Sequence, residues 1–369
     1  MRHHTVAIQQ VQHIVQGALH QGLALAPLLQ RAGIPPALLQ APLARVSQQQ
    51  YALLIRVLRR STRDELWGLC RKPLPVGTFA QCAALGLQCR TLDAALRAAF
   101  RHLHGLAGLR DAFVPRLLLQ GDVARVQLLR RPQPAGLPGT NPQATASLDY
   151  AQKAFLLFAF GLACWWVARR VPLLGVDYTA PTPRSDSSRV YQAPIRFGQP
   201  HIGLQFEARW LALPVVQSPQ SLREFLAGAP ANLLIKYRDS SRVSERIRRL
   251  LQRQLDTQLP SLDQVGQALG INAQTLRRRL REEGHGYQAL KDGLRRDTAI
   301  ALLGQPGLGL LEIANQVGFS EASTFARAFK HWTGVAPGAY RLAHSGVADL
   351  APPASAQQTP SGSPAEPGP

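Results

Sequence analysis

Two stretches near the C-terminus decide the fold: Ser261-Leu-Asp-Gln-Val-Gly-Gln-Ala-Leu-Gly-Ile271 and Leu310-Leu-Glu-Ile-Ala-Asn-Gln-Val-Gly-Phe319. They share one plan, 48 residues apart. In the first, Leu262, Val265, Gly266 and Leu269 recur at i, i+3, i+4 and i+7, the spacing of one helix face. Leu310, Ile313, Ala314 and Val317 take the same offsets in the second. Gly270 and Gly318 follow, where a left-handed residue ends a helix and turns the chain. The small residue at i+4 lets a second helix cross closely, and Ile271 and Phe319 plug the corner. Each unit is a helix-turn-helix.

The capping chemistry agrees. Ser261 with Gln264 three residues on forms a capping box, and Asn272 and Ser320 are N-caps for the two second helices. Each second helix has one apolar stripe, Leu276 and Leu280 in the first and Phe325 and Phe329 in the second. That leaves Ala273, Gln274, Arg277, Arg278 and Arg281 on the open face of the first. Ala322, Ser323, Ala326, Arg327 and Lys330 hold the matching places in the second. An arginine fork fits guanine O6 and N7 in a major groove, and glutamine fits adenine N6 and N7. The first helix is thus equipped to read bases, and the second to supply more positioning than reading. Between the units, Tyr287, Leu290, Leu294, Ala301 and Leu302 mark one long helix, stopped by Gly304-Gln-Pro306-Gly307. Its 17 residues make a rod of about 25 Å. Such a rod places two reading helices about one DNA turn, roughly 34 Å, apart.

Charge permits this reading without locating it. The chain carries a formal net charge of +20, which favours a polyanionic partner. Of its 42 basic residues 37 are arginine, a bias that a GC-rich genome also produces. The excess is spread over the chain, with 25 basic and 10 acidic residues before Lys236 and 17 and 10 from there to Ser345.

Upstream, helices mix with a hairpin. Leu53, Leu54, Val57 and Leu58 lie at helical spacing, as do Leu92, Ala95, Leu96 and Ala99. Val114–Leu119 and Val123–Leu129 flank the turn Gln120-Gly121-Asp122. Arg131–Pro142, with four prolines, reads as loop, and Tyr150–Arg170 as a long buried helix. Val176–Thr179 and Gly203–Phe206 read as short strands around a Pro/Ser-rich loop. The expected organisation is an α+β domain over 1–235, an all-α domain of two helix-turn-helix units joined by a long helix over 236–345, and a disordered tail over 346–369.

No apolar run is long enough to span a membrane, and no signal peptide is expected at the N-terminus. The four cysteines lack metal-ligand spacing and suit apolar packing in a reducing cytoplasm. His102 and His104 lack a third ligand nearby, so a helix-surface pair is expected rather than a metal site. Trp165 and Trp166 serve either as core or as a pocket wall. Nucleophile-elbow and phosphate-binding motifs are missing, so no enzyme and no cofactor is expected.

At this point the C-terminal region resembles the AraC/XylS family of bacterial transcription regulators. The residues that carry the resemblance are Ser261–Ile271, Thr275-Leu-Arg-Arg-Arg-Leu280, Ile313–Phe319, Phe325-Ala-Arg-Ala-Phe329 and the closing Thr333-Gly-Val-Ala-Pro337-Gly-Ala-Tyr340-Arg341. It spans about residues 243–341, and Gly266 departs from the alanine usual there. The resemblance implies that Gln274, Arg277 and Arg278 sit where members touch bases, with Ala322, Ser323, Ala326 and Arg327 in the second-unit places. Residues of about 19–234 are similar to the arabinose-binding-like sensor domain of one branch. Thr91–Leu96, Val176–Pro181, Pro194–Gly198, Phe206, Trp210 and Gly228–Asn232 carry that likeness. It implies a small-molecule effector of open identity, double-stranded promoter or operator DNA, RNA polymerase and a second copy of the chain as partners, with no membrane. The alternative from another class is a nonspecific, arginine-rich nucleic-acid binder with a structural role.

Overall fold

The computed structural model describes residues 5–131, 142–180, 191–228, 243–256, 259–283, 286–305 and 307–348. The chain is an α+β N-terminal region followed by a helical C-terminal one. Most of the loop expected at Arg131–Pro142, the Pro/Ser-rich loop at 181–190, and residues 349–369 of the expected tail lie outside the described residues.

A small clasp begins the fold. Strand β1 (Thr5–Ala7) pairs antiparallel with β2 (Arg45–Ser47). Between them run three short helices, α1 (Ile8–Ile14), α2 (Gln16–His20) and α3 (Leu25–Arg31). Helix α4 (Gln48–Thr62) starts from a complete capping box, with the Ser47 hydroxyl accepting from Gln50 N–H and the Gln50 side chain accepting from Ser47 N–H. It buries Leu54, Val57 and Leu58 as its periodicity requires, but Leu53 is 39% exposed. Five apolar residues in the six positions Leu53–Leu58 exceed what one helix stripe holds, so one lies off the core.

The sheet is mixed. Strands β3 (Phe113–Gln120) and β4 (Val123–Arg130) form the expected hairpin, closed by Gly121 and Asp122. Strand β7 (Ile202–Glu207) pairs antiparallel with β4 and with β5 (Leu173–Asp177), and β5 pairs parallel with β6 (Ile195–Arg196). The order is therefore β3-β4-β7-β5-β6. Ala124, Val126 and Leu128 alternate inward along β4. Over that face pack α5 (Thr78–Leu87), α6 (Leu92–Gly105) and α8 (Pro142–Trp166), in one apolar core with the sheet; a short helix α7 (Ala107–Ala112) leads into β3.

Helix α8 begins eight residues before the expected Tyr150 and ends four before Arg170. Pro142 stands at its first position, where the missing N–H costs nothing and the fixed φ suits a helix. The proline that marks a loop thus also opens the helix behind it.

The remaining α-helices among the described residues are α9 (Pro219–Gly228), α10 (Val243–Gln252), α11 (Leu262–Leu269), α12 (Ala273–Glu282), α13 (Tyr287–Leu303), α14 (Leu310–Gln316), α15 (Ala322–Thr333) and α16 (Pro337–Ala348). Helix α16 therefore runs three residues into the segment expected as tail. The long helix α13 belongs to two cores. Its first half gives Leu290 and Leu294 to a cluster with α10, α11 and α12. Its second half gives Ala299, Ile300, Leu302 and Leu303 to a core shared by α14, α15 and α16 with β2, α1, α3 and α4 of the N-terminal region. The second helix-turn-helix unit and the first 60 or so residues thus bury one another's apolar surface, the dominant favourable term in such packing.

Candidate nucleic-acid interface

The first unit assembles as its sequence specifies. Ser261 accepts from Gln264 N–H while the Gln264 side chain accepts from Ser261 N–H, so α11 starts in a full capping box. Gly270 ends it at φ 65°, in the left-handed region. Ile271 N–H then donates back to the Gly266 carbonyl at 2.9 Å. In the second unit Phe319 N–H donates to the Ala314 carbonyl at the same 2.9 Å, with Gly318 at φ 78°. The two corners are therefore built alike.

Gly266, the departure from the usual alanine, sits at the tightest point. A Cβ there would lie 2.7 Å from the Ile271 carbonyl oxygen. Leu262, Val265, Leu276 and Leu280 close the first core, with Ile271 and Ala273 packed partly buried against it. Ala273 is thus part of the packing rather than of the open face. Ile313, Ala314, Phe325 and Phe329 close the second, and Phe319 lies against Phe325 and Trp332 at about 6 Å between ring centroids.

Asn272 caps α12, its side-chain oxygen accepting from Gln274 N–H at 2.8 Å. Ser320 does not cap α15. Glu321 occupies the N-cap, and its carboxylate accepts instead from the Ser323 and Thr324 hydroxyls at 3.2 and 3.4 Å. A carboxylate at a helix N-terminus is favoured by the helix dipole, which explains why the acidic residue takes the position.

Three long-range contacts that the sequence did not announce fix these helices. Glu283, just past α12, accepts from the Val243 and Ser244 N–H groups at 3.0 Å and so caps α10 from 40 residues away. Tyr287 donates to the Pro260 carbonyl at 2.6 Å, tying the start of α13 to the entry of α11. Arg295, midway along α13, lies with its guanidinium 5.0 Å from the Phe319 ring and reaches the Gly318 carbonyl at 3.4 Å. Partial burial lowers its pKa from the ordinary arginine value.

The open faces differ in charge. Gln274, Arg277, Arg278 and Arg281 are exposed, and with Asn272 and Thr275 they line an open cleft along α12. Arg278 stands 3.7 Å from Glu282 one turn on. On α15, Ser323, Arg327 and Lys330 are exposed and Ala322 and Ala326 half-buried. Arg327 donates to Thr324 at 3.5 Å, within the group gathered by Glu321. The first face is a dense cationic row; the second is smaller and tempered by a carboxylate. Pro337 opens α16, whose Tyr340 packs edge-on against Phe329.

Elsewhere the chemistry is sparse. His102 lies 3.0 Å from the Gln81 amide oxygen and His104 2.8 Å from the Pro115 carbonyl, on separate partners. Among the described residues no group of three His, Cys, Asp or Glu could hold a metal, and no helix is long and apolar enough to cross a membrane. All four cysteines are free.

A family profile described as the arabinose-binding domain of AraC transcription regulator, N-terminal, matches residues 22–215, more than half of the chain. A helix-turn-helix domain profile matches residues 265–343. The ornithine utilization regulator of Pseudomonas aeruginosa is 28% identical over 204 residues, 55% of this chain and 60% of that one. The HTH-type transcriptional regulator VirS of Mycobacterium tuberculosis is 33% identical over 154 residues, 42% of this chain and 44% of its own. The chain therefore matches about half the length of such relatives. Among solved structures, the transcriptional regulator CdpR from Pseudomonas aeruginosa aligns at 20% identity and a TM-score of 0.28, over 78% of this chain and 96% of that one.

Proposed function

The chain belongs to the AraC family of transcription regulators, and on that premise we propose that it binds promoter or operator DNA sequence-specifically and regulates transcription in response to a small-molecule effector. One observation carries this: two helix-turn-helix corners of matching geometry, each presenting a second helix with its apolar stripe buried and its polar face open. In this reading Gln274, Arg277, Arg278 and Arg281 read bases, while Ala322, Ser323, Arg327 and Lys330 position the second unit and contact backbone and thymine methyl groups. Residues 1–235 sense the effector and dimerise, and 236–345 bind DNA. The partners are DNA, the effector, RNA polymerase and a second copy; the protein acts in the cytoplasm and catalyses no reaction.

Effector binding shifts an equilibrium between states that differ in DNA affinity. The shared core of the second unit and the N-terminal helices supplies a physical connection for that shift. Chromatin immunoprecipitation with sequencing tests the reading. A few sharp peaks sharing a tandem motif of roughly 10-bp spacing are expected. Featureless occupancy with a steep salt dependence would replace it with the nonspecific, arginine-rich binder.

A further inference from the structure

The second helix-turn-helix unit carries a carboxylate that its own fold does not use up. Glu321 is exposed at the N-cap of α15, yet its side chain accepts from no backbone N–H there. The Ser323 and Thr324 hydroxyls both donate to the same oxygen, Oε2, at 3.2 and 3.4 Å. Among the described residues Oε1 has no hydrogen-bond or ion-pair partner. The hydroxyl protons are thus committed to Oε2, and Oε1 is left as an oriented, charged acceptor. Arg327 joins the same group, its Nη2 donating to Thr324 Oγ1 at 3.5 Å.

The first unit differs at the matching place. Asn272 is neutral, and its side-chain oxygen is taken by Gln274 N–H at 2.8 Å. Its open face presents the donors Arg277, Arg278 and Arg281. The N-terminal residues of the second helix are the ones that meet base edges in a helix-turn-helix. There α15 presents a charged acceptor with a donor fork behind it, where α12 presents donors.

Acceptors and donors ask for different bases. In the major groove thymine shows O4, and guanine O6 and N7, all acceptors that a carboxylate opposes. Adenine sets an N6 donor beside its N7 acceptor, whereas cytosine shows its N4 amino group alone. A carboxylate among phosphates is unfavourable unless such a donor meets it. We propose that Glu321 is a specificity-determining residue that accepts from the N4 amino group of one cytosine in the half-site of the second unit. The two half-sites are then unlike, which fixes the direction in which the chain lies along the duplex. The inference rests on the reading of the chain as a sequence-specific regulator.

The test is selection and sequencing of DNA bound from a randomised operator library by the full-length wild type, Glu321→Ser and Glu321→Gln. Serine is a favoured N-cap, so it keeps the start of α15 while removing the carboxylate. Thermal unfolding verifies that both variants fold. The wild type prefers cytosine at one position by about fivefold or more. Glu321→Ser loses that preference, leaves the other positions unchanged and binds random-sequence DNA more tightly, because a negative charge has left the interface. Glu321→Gln moves the preference at that position toward adenine, whose N6 and N7 an amide fits. A cytosine preference that survives in Glu321→Ser overturns the proposal. So does a loss of affinity equal for all sequences, which would make Glu321 a helix cap alone. A wild-type chain that selects no motif removes the regulator reading together with this inference; a motif unchanged by both variants removes this inference and leaves that reading standing.

Discussion

Thr5 donates its hydroxyl to the Asp297 carboxylate at 2.6 Å, joining strand β1 to the middle of the helix between the two helix-turn-helix units, 292 residues away. The same hydroxyl accepts from Arg45 Nε at 2.7 Å, and the Arg45 carbonyl accepts from Tyr340 at 2.9 Å. The β1–β2 clasp is thereby gripped on one side by α13 and on the other by α16. Around these polar links lies the apolar core common to the N-terminal helices and the second unit.

Removal of one link tests that grip. Asp297 is buried and also accepts from Arg296 at 2.9 Å. Asp297→Ala leaves both donors without this acceptor and lowers stability by about 1–3 kcal/mol. Asp297→Asn keeps an acceptor and costs less. Urea unfolding of both variants measures this; an alanine variant as stable as the wild type would show the link to be idle.

The corner of the first unit makes a sharper prediction. Gly266→Ala forces a methyl group to 2.7 Å from the Ile271 carbonyl, a backbone atom that cannot swing aside. The expected loss is about 1–3 kcal/mol, typical of overpacking. At the equivalent place in the second unit Ala314 is already accommodated, fully buried. Ala314→Gly therefore costs the conformational penalty of about 0.5–1 kcal/mol plus about 0.8 kcal/mol for the buried methyl it removes. Thermal unfolding of the two variants compares the corners directly, and a neutral Gly266→Ala contradicts the geometry.

For DNA, Arg278→Ala is expected to cost about 1–3 kcal/mol and to relax preference at one base position. Lys330→Ala should instead weaken binding to all sequences alike and reduce the salt slope by about one. Measurement of affinity across a randomised operator library at several salt concentrations separates the two outcomes. A uniform loss for Arg278→Ala would reassign that side chain to phosphate.

Burial also links stability to alkaline pH. The Tyr340 phenol is pushed well above its ordinary range by burial, and so are Tyr51 and Tyr150, whose hydroxyls lie 2.6 Å apart. A raised folded-state value means that the unfolded chain loses these protons first. The contribution is fully present below the ordinary tyrosine value of about 10 and is lost as pH rises above it. Each such group steepens the decline by up to about 1.4 kcal/mol per pH unit. Tyr340→Phe should lower stability at pH 7 and flatten its fall above pH 10; an unchanged slope in urea titrations there would refute the assignment.

How legible each feature was follows from the range of its causes. The two helix-turn-helix corners depend on residues within about ten positions: a capping box at Ser261, apolar spacing of three and four, and glycines at 270 and 318. Such short-range patterns act through backbone geometry that the chain itself dictates, so they can be read directly. The hairpin at Gly121 is legible for the same reason. Misplaced details lie where two local signals compete. Ser320 offered a hydroxyl cap, but Glu321 took the position. Pro142 marked a loop and also opened a helix.

What the sequence by itself determined is thus the pair of helix-turn-helix units and the rod between them, because each is specified by neighbours along the chain. Only the tertiary structure decided that the second unit shares a core with the first strands and helices and that Glu283 caps a helix 40 residues before it. Apolar periodicity states that a face must be covered, because exposed apolar surface is unfavourable in water, but not by which other face. That choice falls to shape and to the few polar groups that must find partners once buried, as Thr5 finds Asp297.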